Sequence, residues 1–113
     1  RHADFGLIHR AAFTGFLPRY IELGADVNMR DSSNNTPLHF AAFHGQVLNC
    51  SILVEHGANI SAQKDSSETP LDAAKIGLAR ITKEAQEEQI ENIQEIKNRY
   101  NEIIDLLSPR VTS

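Results

Sequence analysis

Apolar positions between residues 36 and 57 fall into two short helical patterns. The first has an apolar face of mostly small side chains, which are Leu38, Ala41 and Ala42. The second repeats at close to the helical period and comprises Val47, Leu48, Ile52, Leu53 and Val54. Gly45 separates the two patterns, and Gly57 follows the second in the position of a helix C-terminal cap. These positions predict a pair of helices, the first of which can approach its neighbours closely.

The residues in front of the first helix predict a turn followed by a helix start. Residues 31–35 read Asp-Ser-Ser-Asn-Asn, which is a cluster of turn-forming residues. Thr36 can then cap the helix, because its hydroxyl can accept a hydrogen bond from an N–H of the first turn. Pro37 suits the first helical position, where its missing N–H is not needed. The whole stretch therefore predicts a unit made of one turn and two helices.

This unit recurs along the chain. Thr36-Pro37-Leu38 returns as Thr69-Pro70-Leu71, and Gly24-Ala25-Asp26-Val27-Asn28 returns as Gly57-Ala58-Asn59-Ile60-Ser61, both after 33 residues. A fixed period of this size indicates stacked units, each too small to bury its own apolar face.

The first of these units is shorter than the second. Three residues are missing between Gly15 and Gly24, in a stretch that also contains Pro18. We therefore expect a truncated outer helix around Arg19 to Leu23, with the proline at or near its first turn.

The segment Thr36-Pro37-Leu38-His39-Phe40-Ala41-Ala42 resembles the T-P-L-H-x-A signature of ankyrin repeats, whose period is also about 33 residues. The resemblance covers roughly residues 4–77. It implies an all-α fold, an ankyrin-repeat solenoid of two to three repeats within residues 1–77, at about 4–29, 31–63 and from 64 onward. It also implies a protein–protein interaction module that is not an enzyme.

The C-terminal third departs from this pattern. No Gly or Pro occurs between Leu78 and Ser108, which predicts one extended helix from about Leu78 to Leu107, roughly 45 Å long. We assign residues 78–108 to this capping helix and residues 109–113 to a flexible tail. We expect residues 98–107 to pack against the last repeat, because Tyr100, Ile103, Ile104 and Leu107 share one face. The acidic stretch 83–95 has few apolar residues and should extend into solvent.

Composition narrows the possible functions. A net charge of -4 argues against nucleic-acid binding, which needs clustered Lys and Arg. No apolar run approaches the about 18 residues of a membrane span, and the first residues do not show the pattern of a signal peptide. The single cysteine suits a reducing compartment, so we expect a cytoplasmic protein. Because the first residue is Arg1 rather than Met, we expect a fragment of a longer protein.

Residues that could carry chemistry have simpler structural explanations. His9 and His39 hold equivalent repeat positions and should hydrogen-bond to neighbouring turns, while His56 suits a helix C terminus through its dipole. His44 should face solvent as a contact residue. Cys50 lies among apolar residues and should be a buried, unreactive thiol. Without paired metal-binding motifs or a nucleophile motif, we expect no metal, no cofactor and no catalysis.

Phe13, Phe43 and Ile76 occupy equivalent positions in successive units. They either line the concave groove of the stack or fill the gap between its inner helices. By repeat position, the middle unit would contribute Arg30, Ser32, Ser33, Asn35, Phe43 and His44 to partner binding. The next unit would contribute Gln63, Asp65, Ser66, Glu68 and Ile76, and the first unit Phe13 and Thr14. The partner is expected to be another protein, which the sequence does not identify.

Two other functions are compatible with the sequence. The chain could be a regulatory or targeting part of a larger multidomain protein or enzyme. Alternatively, the C-terminal helix could pair with a second copy through Ile90, Ile93, Tyr100, Ile104 and Leu107 as coiled-coil seam positions. Lys97 interrupts this seam, and about 2.5 heptads are fewer than a coiled coil normally shows. We therefore expect a monomer.

Overall fold

The computed structural model describes residues 17–88 and 93–108. The described part is built of α-helices, and no β-strand occurs within it. In chain order the helices are α1 (Leu17–Glu22), α2 (Pro37–Phe43), α3 (Val47–Glu55), α4 (Pro70–Glu88) and α5 (Gln94–Leu107). The predicted all-α fold is therefore confirmed.

Four of the helices form two packed layers. The inner layer consists of α2 and α4, which pack side by side, and the outer layer consists of α3 and α5, which also contact each other. Each outer helix packs on the inner helix of its own unit. The core lies between the layers and includes Leu38, Ala41, Ala42, Cys50, Leu53, Ala73, Ala74, Ile103 and Leu107. Small alanines on both inner helices allow the close packing that the sequence predicts.

The start and end of α2 follow the predicted signals. The Thr36 hydroxyl accepts the His39 N–H at 3.4 Å, and His39 Nδ1 accepts the Thr36 N–H at 3.1 Å. Pro37 occupies the first helical position and is buried. Gly45 follows the helix with a φ of +71°, a left-handed conformation that glycine adopts without steric cost. Local residues thus determine both ends of this helix.

The first unit contains an outer helix in the predicted region. Within the described residues, which begin at residue 17, α1 comprises Leu17–Glu22 and includes Pro18. Its truncation stays a prediction. Ile21 packs against the edge of the core, which attaches this short helix to the stack.

The third unit shows where the sequence prediction is wrong. Instead of one helix from Leu78 to Leu107, α4 runs from Pro70 to Glu88 and passes through Gly77 without a break. A separate helix, α5, begins after Ile93 and packs against both α4 and α3. The physical reason is burial: a continuous helix would carry the apolar face of α5 away from the stack. Two helices return that face to the outer layer.

The C-terminal half of the segment packs as expected. Tyr100, Ile103 and Leu107 are 2, 0 and 2% exposed, so α5 covers the end of the stack. Within the acidic stretch, Ala85 is buried, which gives the end of α4 a packed side as well. Residues 109–113, the predicted tail, lie outside the described residues, and the proposed division of the chain at residue 77 stays a prediction.

Candidate protein-binding groove

A groove of about 350 Å³ lies along the inner layer, between α2, α4 and the turn that precedes α4. We call it the inner groove. Its lining consists of Asn35, His39, Phe40, Phe43, His44, Lys64, Glu68, Ala73 and Ile76. The volume is at the lower end of the range for ligand pockets and accommodates a few side chains of a partner rather than a large small molecule.

Phe43 is the central aromatic residue of the inner groove. It is half-buried at the end of α2, and Ile76 from α4 is 44% exposed beside it. The guanidinium carbon of Arg80 lies 5.1 Å from the centroid of the Phe43 ring, within cation–π range. The His44 ring meets Phe43 edge-on, with centroids 5.2 Å apart. Phe43 therefore combines an accessible apolar surface with fixed neighbours.

Arg80 is itself held in place. Its Nη1 donates to both carboxylate oxygens of Glu84, at 2.9 and 3.1 Å, one helical turn further along α4. An exposed pair of this kind contributes little to stability, but it limits the positions that the guanidinium can take over the aromatic ring.

A tyrosine from the outer layer supports the inner groove from behind. The Tyr100 hydroxyl donates to the Phe43 carbonyl at 2.5 Å, although the two residues are 57 positions apart. Burial is the main cause that raises the pKa of Tyr100, and nearby Arg80 lowers it to a smaller extent. The hydroxyl thus stays protonated and available as a donor. Sequence reasoning assigned Tyr100 to the cap or, alternatively, to a coiled-coil seam, and missed this contact.

The turns in front of α2 and α4 form the tips of the stack and contact each other. Within the first turn the Asp31 N–H donates to the Asn35 carbonyl at 3.0 Å. Between the turns, the Asn34 side-chain amide donates to the Asp65 carboxylate at 2.7 Å, and the Asp65 N–H donates to the Ser33 carbonyl at 3.0 Å. These bonds fix the spacing between adjacent tips.

Arg30 also takes part in this connection. Its Nη1 donates to the Gln63 carbonyl at 2.9 Å and to the Asn34 carbonyl at 3.3 Å. The side chain is exposed, so it can reach a partner, but two of its hydrogen-bonding directions are already used within the stack.

His39 connects the inner helix to the next turn, which confirms its predicted structural role. Because the Thr36 N–H donates to Nδ1, this nitrogen carries no proton, and Nε2–H donates to the Glu68 carbonyl at 2.9 Å. Burial lowers the pKa of His39, and nearby Lys64 contributes in the same direction, while the bond to Glu68 opposes both. The neutral imidazole is therefore favoured more strongly here than in an ordinary histidine.

The exposed histidines also match their predicted surroundings. His44 is exposed beside the inner groove, and both partial burial and Arg80 lower its pKa. His56 caps α3, with its Nδ1 2.8 Å from the Ile52 carbonyl.

The structure brings five of the predicted contact residues into the inner groove: Asn35, Phe43, His44, Glu68 and Ile76. Six others are exposed at the turn tips rather than in the groove: Arg30, Ser32, Ser33, Gln63, Asp65 and Ser66. Phe13 and Thr14 lie outside the described residues.

Four lining residues were not among the predicted contacts: His39, which was predicted to be structural, and Phe40, Lys64 and Ala73. Phe40 carried a usable signal, because it precedes Phe43 by three positions and so shares its helix face. Lys64 is joined to Glu68 by a 3.5 Å ion pair across the turn, a contact that the sequence does not reveal.

Nothing in the described residues points to metal chemistry or a reactive thiol. Across residues 17–88 and 93–108, no group of three His, Cys, Asp or Glu side chains is arranged to hold a metal ion. Cys50 is fully buried, and burial raises the pKa of its thiol to about 12, so it is protonated at neutral pH. The helices within the same residues are also too short or too polar to cross a membrane.

Stacked helix pairs joined by turns, with a groove along the inner layer, define a helical-repeat protein. The chain matches the family model for ankyrin repeats (3 copies) over residues 8–81, well over half of its length. It therefore belongs to the ankyrin-repeat family. Ankyrin repeats generally act as protein–protein interaction modules and are typically non-catalytic.

Sequences similar to this chain occur within much larger proteins. The chain is 38% identical over 74 residues to the human ARF GTPase-activating protein GIT2, covering 62% of this chain and 10% of the relative. It is 31% identical over 110 residues to mouse protein phosphatase 1 regulatory subunit 12A, covering 93% of this chain and 11% of the relative. It is 31% identical over 98 residues to the rice potassium channel KOR1, covering 86% of this chain and 11% of the relative. The chain thus spans about one tenth of the length of these relatives.

Proposed function

We propose that this chain binds a partner protein through the inner groove and the adjacent turn tips. The observation that carries the proposal is the position of Phe43 and Ile76. Both line the groove: Ile76 is exposed there, and Phe43 is half-buried, with one side packed against the core and the other on the groove surface. The alternative, that they only fill the space between the inner helices, does not explain why 44% of Ile76 remains exposed.

The groove residues have the properties of an interaction hot spot. A large aromatic group held by fixed neighbours loses little conformational entropy on binding, and its removal from an interface typically costs about 2 kcal/mol or more. Exposed polar residues at the tips, such as Ser32 and Ser66, provide a rim with hydrogen-bonding groups. Such a combination suits protein recognition better than small-molecule binding.

A role within a larger protein is the second candidate and is compatible with the first. The relatives include a regulatory subunit and a GTPase-activating protein, of which this type of segment forms about one tenth. In such a setting the inner groove would recruit or orient a target for activity located elsewhere. Determination of the full-length sequence would test this directly.

Self-association through the C-terminal helix has less support. Tyr100 and Leu107, two of its five predicted seam positions, are buried against the other helices of the same chain. They could join a second copy only if α5 left the outer layer. Light scattering over a range of concentrations would reveal such association.

Capture from a cell lysate followed by measurement with the purified captured protein would test the proposed function. Phe43→Glu and Ile76→Glu each place a charge in the inner groove, whereas Leu48→Glu places one on the outer layer, where Leu48 is 71% exposed. We expect each groove variant to bind at least about thirtyfold more weakly by calorimetry. The outer variant should bind like wild type.

Circular dichroism of each variant must first show a folded domain. Equal affinity of the groove variants and wild type would refute the proposed surface. Loss of binding in the Leu48 variant alone would assign recognition to the outer layer instead.

A further inference from the structure

The C-terminal end of α2 has a complete set of hydrogen bonds, one of which comes from the other layer. Helix ends leave four carbonyls without an intrahelical partner. Three of them accept N–H groups from the residues that follow α2. The donor and acceptor pairs are His44 to Phe40, Gln46 to Ala41 and Gly45 to Ala42, at 3.1, 2.9 and 3.3 Å. The fourth carbonyl, that of Phe43, accepts the Tyr100 hydroxyl.

The Tyr100 ring reaches this carbonyl through a space that two glycines leave open. A Cβ atom at Gly45 would lie 3.0 Å from the ring, and one at Gly77 would lie 2.8 Å from it. Both distances are shorter than the about 3.5 Å of normal carbon–carbon contact. The ring is also only 2% exposed, so its position is determined from all sides.

At the end of the outer helix α3, the Ile52, Leu53 and Val54 carbonyls likewise accept N–H groups from residues that follow the helix. Its last residue, Glu55, is exposed, so solvent can reach this end of the helix. The contact from Tyr100 is specific to the helix end that carries Phe43.

We propose that Tyr100 is a positioning residue of the inner groove, which holds Phe43 in its binding orientation through the carbonyl of that same residue. The inference rests on the proposed function of the groove. The side chain of Phe43 leaves the backbone at the point that Tyr100 fixes, and its contacts with Arg80 and His44 depend on that point. Without the hydroxyl, the end of α2 can shift and the aromatic ring is presented less precisely.

Hydrogen exchange measured by NMR tests the inference without a binding partner. Tyr100→Phe keeps the ring and removes only the hydroxyl. We expect amides 43–46 to exchange about fivefold faster relative to the rest of the domain, as for the loss of one hydrogen bond. Ile103→Val is the matched control, because it weakens the core from the same helix without touching α2's end. An equal, uniform change in both variants would overturn the inference.

A double-mutant cycle on affinity for the captured, purified partner provides the second test. Tyr100→Phe alone should weaken binding about fivefold, and it should have no further effect in a Phe43→Ala background. If Phe43→Ala weakens binding but Tyr100→Phe does not, the positioning role is overturned while the groove function stands. If Phe43→Ala leaves affinity unchanged, the groove function fails, and the exchange experiment still decides whether Tyr100 fixes the end of α2.

Discussion

Replacing Gly77 with alanine should destabilise the domain, although helix propensity alone predicts the opposite. Gly77 lies inside α4, where alanine is normally favoured over glycine by about 1 kcal/mol. A Cβ atom here would lie 2.3 Å from the Phe43 carbonyl oxygen and 2.8 Å from the Tyr100 ring. The carbonyl belongs to the backbone of α2, so it cannot move aside without displacing that helix.

The expected magnitude follows from these two opposing terms. Overpacking of a tight interior typically costs about 1–3 kcal/mol, and a clash with backbone belongs at the upper end. Subtracting the gain of about 1 kcal/mol in propensity leaves a net loss of roughly 2 kcal/mol. For a domain of this size, such a loss lowers Tm by about 8 °C or more. The sign of the measured change in stability therefore shows whether overpacking or helix propensity dominates.

Urea unfolding followed by circular dichroism would measure this loss, with Ala79→Gly as the control. Ala79 is exposed on the same helix, so its replacement reports propensity without packing and should cost about 1 kcal/mol. If Gly77→Ala is as stable as wild type, or more stable, the close approach between α2, α4 and Tyr100 is not as the structure shows.

Three further predictions follow from the same structure. Ser67 has a φ of +71°, so Ser67→Gly should raise the free energy of unfolding by about 0.5–1 kcal/mol. Asn34→Gly should raise it less, because asparagine tolerates this conformation better and because the variant also loses the hydrogen bond to Asp65. Urea titration of both variants would check the order. The pKa of His39 is lowered in the folded protein, so the stability that this residue contributes is fully present above pH 6.5. This stability is lost as the pH falls through the folded-state pKa. An NMR titration midpoint of His39 at or above pH 6.5 would contradict this prediction. Leu107→Ala should lower the free energy of unfolding by about 2–5 kcal/mol, whereas Leu48→Ala at the exposed outer surface should lower it by less than about 0.5 kcal/mol. Similar melting temperatures of the two variants would show that α5 is not part of the core.

Much of the middle repeat could be predicted because its signals are local. The cap formed by Thr36, the proline after it and the glycine that ends the helix each act within one helical turn. Repetition also predicted that Phe43 and Ile76 lie on one surface, since they hold equivalent positions in stacked units. Both line the inner groove, which agrees with one of the two alternatives that the sequence left open.

The break between α4 and α5 could not be predicted in the same way. No glycine or proline occurs between Leu78 and Ser108, so local propensity favours one helix. The break instead satisfies a tertiary requirement, the burial of Ile103 and Leu107 in the outer layer. Gly77 was equally ambiguous, because a glycine can end a helix or allow a close approach within one, and only the neighbouring carbonyl distinguishes the two.

The irregular third unit also changes what surrounds Phe43. An inner helix as long as α2 that began at Pro70 would end at Ile76, since α2 has 7 residues and α4 has 19. Arg80 lies in the extension beyond that point, and Tyr100 lies in the helix that the extension connects to the stack. The residues that make this unit depart from the repeat pattern therefore provide both the cation over the Phe43 ring and the donor to its carbonyl. A third inner helix of only seven residues would end before Arg80, so the contact of this guanidinium with the Phe43 ring depends on the extra length of α4.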